Sequence, residues 1–322
     1  MLKSKLEFEV MVMLKETFSF PSAAGDCRIE AVRFLPEDGR VRGTLQLLHG
    51  MQEHIGRYDG MAAYFTARGW AVYGHSHIGH GHSTTTQYPL GYFGRKNAEG
   101  RIFRADARQV HNRAKADYPD LPMVLFGYSM GSFVCRHCLA DFGEELSAAV
   151  VCATGNGSPA LNLGIFSAGA LSLAFGRKDA DLIDGVVQKG FAERTEKKTK
   201  VDWLSTDLGY LLKNGKPDPL CGFPFSYRGY YDLLTMIRAM LRAETFAKTP
   251  LDLPILFLSG GDDPVGGYGE GVKDTLHRYR ETGHRRTEMK LYPGRRHEIH
   301  LDNGRLDVWA DMSEFLERTV IF

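Results

Sequence analysis

The chain predicts an α/β fold built on a mostly parallel sheet, and three observations carry that reading. Short apolar runs of strand length recur along its 322 residues. Helix-length stretches lie between them, spaced as crossover connections between parallel strands require. One run leads directly into Gly127-Tyr128-Ser129-Met130-Gly131, a serine at a strand-to-helix turn with glycine two residues to either side.

Taken in order, residues 1–15 mix charges through every apolar stretch and hold no signal-peptide core, so they read as an extension, with a cytoplasmic location by default. Glu16–Phe20 and Asp26–Phe34 form an edge hairpin. Thr44–His49, Ala71–Gly74, Met123–Phe126, Ala148–Ala153, Ile255–Ser259 and Glu288–Tyr292 are strand-sized, and most carry β-branched or aromatic residues. Tyr58–Arg68, Ile102–Tyr118, Ser132–Asp141, Val272–Thr282 and Arg305–Arg318 supply the helices. The alternation lapses once, over residues 158–245. That stretch holds helix-like pieces, the charged run Glu193–Lys200 and a turn-rich region, Pro217–Phe225. It reads as a cap inserted into a core of residues 16–157 and 246–322, over the strand ends where α/β proteins place their sites.

Bulk properties narrow the function. Lys+Arg 40 against Asp+Glu 39 leaves almost no net charge, so no global field draws the chain to nucleic acid. Five scattered cysteines make no disulfide framework and suit a reducing compartment. Cys135 and Cys138, on one helix, read as small core residues. The longest uncharged stretch, Leu146–Gly176, is broken at Gly155–Pro159 into a strand and a helix, which excludes a membrane span.

A serine hydroxyl is a poor nucleophile until a base takes its proton and an acid orients that base. His297 follows the last strand, and Asp262 and Asp263 follow Ile255–Ser259, so both aspartates are candidates for the acid. Serine, aspartate, histidine is the α/β-hydrolase order. An oxyanion needs two N–H donors: the backbone of Met130, after the nucleophile, and of Met51, in the loop after Thr44–His49. His75, His77, His80 and His82 cluster locally without a matched ligand set, so no metal is expected.

Leu48-His49-Gly50 with Glu53-His54 and Arg57-Tyr58, then Gly79–Ser83, Gly127–Gly131, Asp263-Pro264-Val265 and His297-Glu298 resemble the monoacylglycerol lipase and lysophospholipase branch of the α/β-hydrolases. In the cap, Asp202–Ser205 and Asp218–Phe223 resemble bacterial members. The resemblance implies an eight-stranded sheet, a helical lid, no metal and no organic cofactor. It assigns Ser129 as nucleophile, His297 as base and, over Asp262, Asp263 as orienting acid. Tyr128 and Ser76 depart from the pattern, where many relatives have histidine and aspartate; neither removes a triad group.

Substrate choice rests on the cap. Ala160–Phe175 is apolar on more than one face and must bury its second face against the core, a lipid chain or a membrane surface. Phe166, Phe223, Tyr231 and Met236 are the candidate substrate-binding residues. The expected activity is a serine ester hydrolase acting on small lipid esters such as monoacylglycerols or lysophospholipids, with membrane-surface contact through the cap. The alternatives are an amide or peptide hydrolase of the serine aminopeptidase type, for which the cap offers no obvious acidic cluster to hold an amine, and a non-catalytic binding homologue.

Overall fold

The computed structural model describes residues 13–157, 159–195, 201–207 and 218–320. Most of the expected extension, the end of the charged run and Pro217 lie outside them.

Eight strands form one sheet. They are β1 (Met13–Pro21), β2 (Arg28–Pro36), β3 (Gly43–Leu48), β4 (Trp70–His75), β5 (Met123–Tyr128), β6 (Ala148–Cys152), β7 (Ile255–Gly260) and β8 (Thr287–Tyr292), in the order β1-β2-β4-β3-β5-β6-β7-β8. β1 and β2 make the antiparallel edge hairpin, β2 runs antiparallel to β4, and the remaining pairs are parallel. β1 starts inside the expected extension: Met13 pairs with Pro36, because the ladder follows β2 to its end. Its mostly exposed residues include Lys15 and Glu16, charges that discourage further strands from adding at this edge.

β3 to β7 are buried along their whole length, as strands covered on both faces must be. The period of two sorts their side chains. Leu125, Ala149 and Val151 face one core, while Val124, Phe126 and Val150 face the other. The first core is closed by α2 (Arg101–Asp117), α3 (Met130–Phe142) and α8 (Glu270–Glu281). The second is closed by α1 (Asp59–Thr66) and α9 (Arg305–Thr319), through Met61, Phe65, Trp309 and Phe315. Asn97, four residues ahead of α2, holds its first turn, its Oδ1 accepting from the N–H groups of Ile102 and Phe103 at 2.9 and 3.3 Å.

Between β6 and β7 lie α4 (Leu161–Phe175), α5 (Asp181–Ala192), α6 (Tyr227–Met240) and α7 (Ala243–Lys248). The expected boundary between residues 245 and 246 falls inside α7. Phe246 of that helix packs on Tyr279 of α8, ring centroids 4.8 Å apart, so α7 rests against α8. The cysteines among the described residues are unpaired, and Cys135 and Cys138 are buried in the first core.

Candidate active site

Ser129 joins β5 to α3 with φ at 50°, a left-handed conformation that a side-chain-bearing residue adopts only under constraint. The constraint is the close crossing of strand and helix. A Cβ on Gly127 would press on the Gly131 carbonyl and on Cys135, and one on Gly131 would collide with the carbonyls of Leu48 and His49. The turn is also tied down by hydrogen bonds. Ser129 N–H donates to Cys152 O at 3.0 Å, and its carbonyl accepts from the Ser132 N–H at 2.8 Å and hydroxyl at 2.6 Å.

The structure brings His297 and Asp263 to this serine. Ser129 Oγ is 2.8 Å from His297 Nε2, and His297 Nδ1 is 2.9 Å from Asp263 Oδ1. An ionised carboxylate only accepts, so Nδ1 carries the proton and Nε2 is left to accept from the serine hydroxyl. Asp263 is held in turn by the Val265 N–H at 2.9 Å and the Ser259 hydroxyl at 3.3 Å. Asp263 and His297 are 0% and 1% exposed and Ser129 is 9% exposed, so the three groups meet largely out of water. Asp262 stays at the surface, with its N–H on Arg295 O.

Met130 is the first residue of α3, a position whose N–H has no acceptor within its own helix. Met51 lies half-buried in the turn after β3, followed by Gln52 at φ 59°. That turn is braced from below. His49 Nε2 accepts the His77 N–H at 2.9 Å, while its Nδ1 bonds the Gly50 carbonyl at 2.8 Å. Gly50 N–H donates to Glu53 Oε1 at 2.6 Å.

Glu53 belongs to a buried ionic group. Tyr58 OH donates to it at 2.8 Å, and Arg57 bridges Glu53 and Glu298 at 2.5 and 2.8 Å. Burial pushes the Glu53 carboxyl above its usual range although Arg57 opposes this. Burial works against the Arg57 charge too, but Glu298 and Glu53 more than offset it and hold the guanidinium protonated. Because Glu298 follows His297, this group links the turn at Gly50 to the histidine loop. In the sequence Glu53 reads as a cap or brace of this turn with no chemical role; its spacing of four residues from Arg57 was the signal for the ion pair.

Two aromatic rings flank His297. Tyr128 lies 5.1 Å from it and 4.0 Å from His300, and leaves no room for a side chain at Gly50. Trp203 lies 5.0 Å from the His297 ring, with its indole N–H on Gln188 Oε1 at 2.8 Å. The Glu298 N–H reaches Leu204 O at 2.7 Å, so the Trp203 segment rests on the histidine loop. No spacing rule marks Trp203 in the sequence. The departure at Ser76 finds its carboxylate elsewhere: Ser76 Oγ donates to Glu30 at 2.8 Å.

The four candidate substrate-binding residues go to different places. Phe166 is 75% exposed on α4. Phe223 packs on His80, and Tyr231 on Gly169 of α4. Met236 is buried in the first core, its sulfur against Gly100. His75, His77 and His80 are buried beside His49, and burial lowers their basicity, to about 3 for His75 and His80. Both ring nitrogens of His75 and His77 lack hydrogen-bond partners among the described residues.

Residues 39–304 match the family model described as serine aminopeptidase, S33. The monoglyceride lipase of Rattus norvegicus is 24% identical over 271 residues, which is 83% of this chain and 79% of the rat protein. A thermostable carboxyl esterase from Bacillus coagulans, solved in complex with glycerol, superposes with a TM-score of 0.88 at 30% identity, covering 96% of this chain and all of that one. The monoglyceride lipase of Saccharomyces cerevisiae, solved as a soluble variant with a substrate analogue, shares the fold with a TM-score of 0.77 at 18% identity over 98% of both chains.

Proposed function

The chain belongs to the serine aminopeptidase S33 family, in the monoacylglycerol lipase-like branch of the α/β-hydrolases, and from that premise we propose that it hydrolyses carboxylic esters carrying one apolar chain. Monoacylglycerols and lysophospholipids are the substrate class. The observation that carries this reading is the buried hydrogen-bonded line from Ser129 through His297 to Asp263.

In the proposed reaction His297 Nε2 takes the proton of Ser129 Oγ as the oxygen attacks the ester carbonyl, and Asp263 stabilises the imidazolium that forms. The N–H groups of Met51 and Met130 receive the charge that develops on the carbonyl oxygen. His297 returns the proton to the departing alcohol. Water then repeats the sequence on the acyl-enzyme and releases the carboxylic acid.

We read the segment from β6 to the start of α7 as a cap, with the Trp203 stretch as its contact with the catalytic histidine. α4 leaves Leu163, Phe166, Leu173 and Phe175 exposed, which fits an ester drawn from a lipid surface. No helix among the described residues is long and apolar enough to cross a membrane. Unpaired cysteines fit a cytoplasmic setting.

The family description favours a second reading, cleavage of a peptide bond after an N-terminal residue. A series of p-nitrophenyl esters of increasing chain length, run beside aminoacyl p-nitroanilides, separates the two. Turnover that rises with acyl length is expected; anilide cleavage without ester cleavage would replace this reading with the second.

A further inference from the structure

His54, Asp218 and Cys221 each offer one ligand atom, all within 4.8 Å of one another. They come from two parts of the molecule. His54 follows the Met51 turn of the core, while Asp218 and Cys221 sit on a turn of the segment between β6 and β7. We propose that these three residues form a binding site for a zinc ion, which clamps the turn at residues 218–222 onto the core loop beside the active site. The binding site itself does not rest on the ester hydrolase reading; the effect of the clamp on turnover does.

The donor set is one imidazole, one carboxylate and one thiol, the mixture that zinc takes in tetrahedral sites with water in the fourth position. Metal–ligand bonds of about 2.0 to 2.3 Å place neighbouring ligand atoms about 3.3 to 3.8 Å apart, so small side-chain shifts complete the site. His54 Nε2 already lies 2.8 Å from Asp218 Oδ2. The turn is shaped from within, with Leu220 N–H on Asp218 Oδ1 and Cys221 N–H on Asp218 O, both at 2.9 Å. It is docked from outside by Gly222 N–H on Gln52 O at 2.9 Å.

Binding exchanges the thiol proton for the metal, so one proton leaves per zinc bound. The imidazole proton moves from Nε2 to Nδ1, displacing the Gly56 N–H that Nδ1 accepts at 3.2 Å; Gly56 is exposed, and water takes that place. Because Gln52 follows Met51, the clamp would fix the turn against the loop proposed to supply an oxyanion donor and restrict that loop.

The full chain, freed of metal with a chelator, is titrated with zinc chloride and separately with cobalt chloride. Zinc at a hundredfold excess over its dissociation constant raises the melting temperature by about 4 °C. Cobalt gives the visible bands of a tetrahedral site and a near-ultraviolet thiolate charge-transfer band. Both responses disappear in Cys221→Ser and Asp218→Asn. Zinc also lowers ester turnover of the unaltered chain, EDTA restores it, and Cys221→Ser keeps its basal turnover while resisting zinc. No melting shift, a cobalt spectrum without the thiolate band, or responses that survive in Cys221→Ser would overturn the site. Metal bound through Cys221 with unchanged turnover would overturn the clamp.

Discussion

α3 and α4 each follow a strand of the sheet and each is rich in apolar residues, yet they have opposite fates. α3 buries most of its residues, including the polar Arg136 and His137. α4 has no charged residue, but only Ile165 and Ala168 are buried, and Leu173 is 91% exposed. Burial therefore follows position and not hydrophobicity. α3 lies across β5, where Gly127 and Gly131 allow backbone contact, and any side chain on its inner face is covered. α4 rests on α6, with Gly169 against Tyr231, and its other face meets solvent. One helix is fixed against the strand that leads into Ser129; the other leaves an apolar surface exposed.

The contrast can be tested by damaging each side in turn. The largest effect is expected at the end of β5, where Ser129→Ala should lower ester turnover by about 10⁶-fold and abolish fluorophosphonate labelling, with the melting temperature nearly unchanged. Labelling that persists would remove Ser129 from the chemistry.

Acid should attack the braced core next. His49, His75, His77, His80 and His300 are held neutral, chiefly by burial, whereas the unfolded chain protonates them below about 6.5. Their folded-state pKa values are depressed, so the stability they contribute is intact above 6.5 and drains away as pH falls from there toward about 3, the value for His75 and His80. Each costs roughly 1.4 kcal/mol per pH unit in that window. Urea midpoints recorded from pH 7.5 to 5 should fall steeply; a flat profile would mean that these rings are not buried neutral.

Arg57→Ala strands Glu53 and Glu298 without their cation and should cost about 3 to 5 kcal/mol in urea unfolding. Arg57→Lys should recover part of the stability, since it keeps the charge but not the fork that spans two carboxylates.

The smallest effect on stability is expected from α4. Leu173→Ser removes an apolar side chain that is already in water, so unfolding free energy should move by less than about 0.5 kcal/mol. Turnover of a long-chain ester in micelles should drop, while a short soluble ester is cleaved as before. Equal losses on both substrates would assign Leu173 a structural task and erase the difference from α3.

Much of this arrangement was legible beforehand. The strand positions follow from local composition, and the turn at Ser129 follows from glycine spacing, because each depends on neighbours within a few residues. The start of β1 was misplaced because its length is set by pairing with β2. The expected boundary between residues 245 and 246 falls inside α7, and Phe246, on its core side, packs on Tyr279. Trp203 and the Glu53–Arg57–Glu298 group were missed because their importance lies in contacts across 94 and 241 residues of chain, for instance through Arg296 on Asp202 and Arg57 on Glu298. Phe166 and Met236 share the apolar character expected of a pocket wall, but one faces water and the other the first core.

By itself the sequence determined an α/β chain with a serine on a constrained turn, since strand period, helix spacing and glycine sterics are short-range properties. Only the tertiary structure decided that Asp263 and not Asp262 lies against His297, that His297 reaches a serine 168 residues away, and that α4 keeps its apolar face uncovered. Those outcomes depend on which strand ends converge and which faces find a neighbour, and no local pattern encodes either.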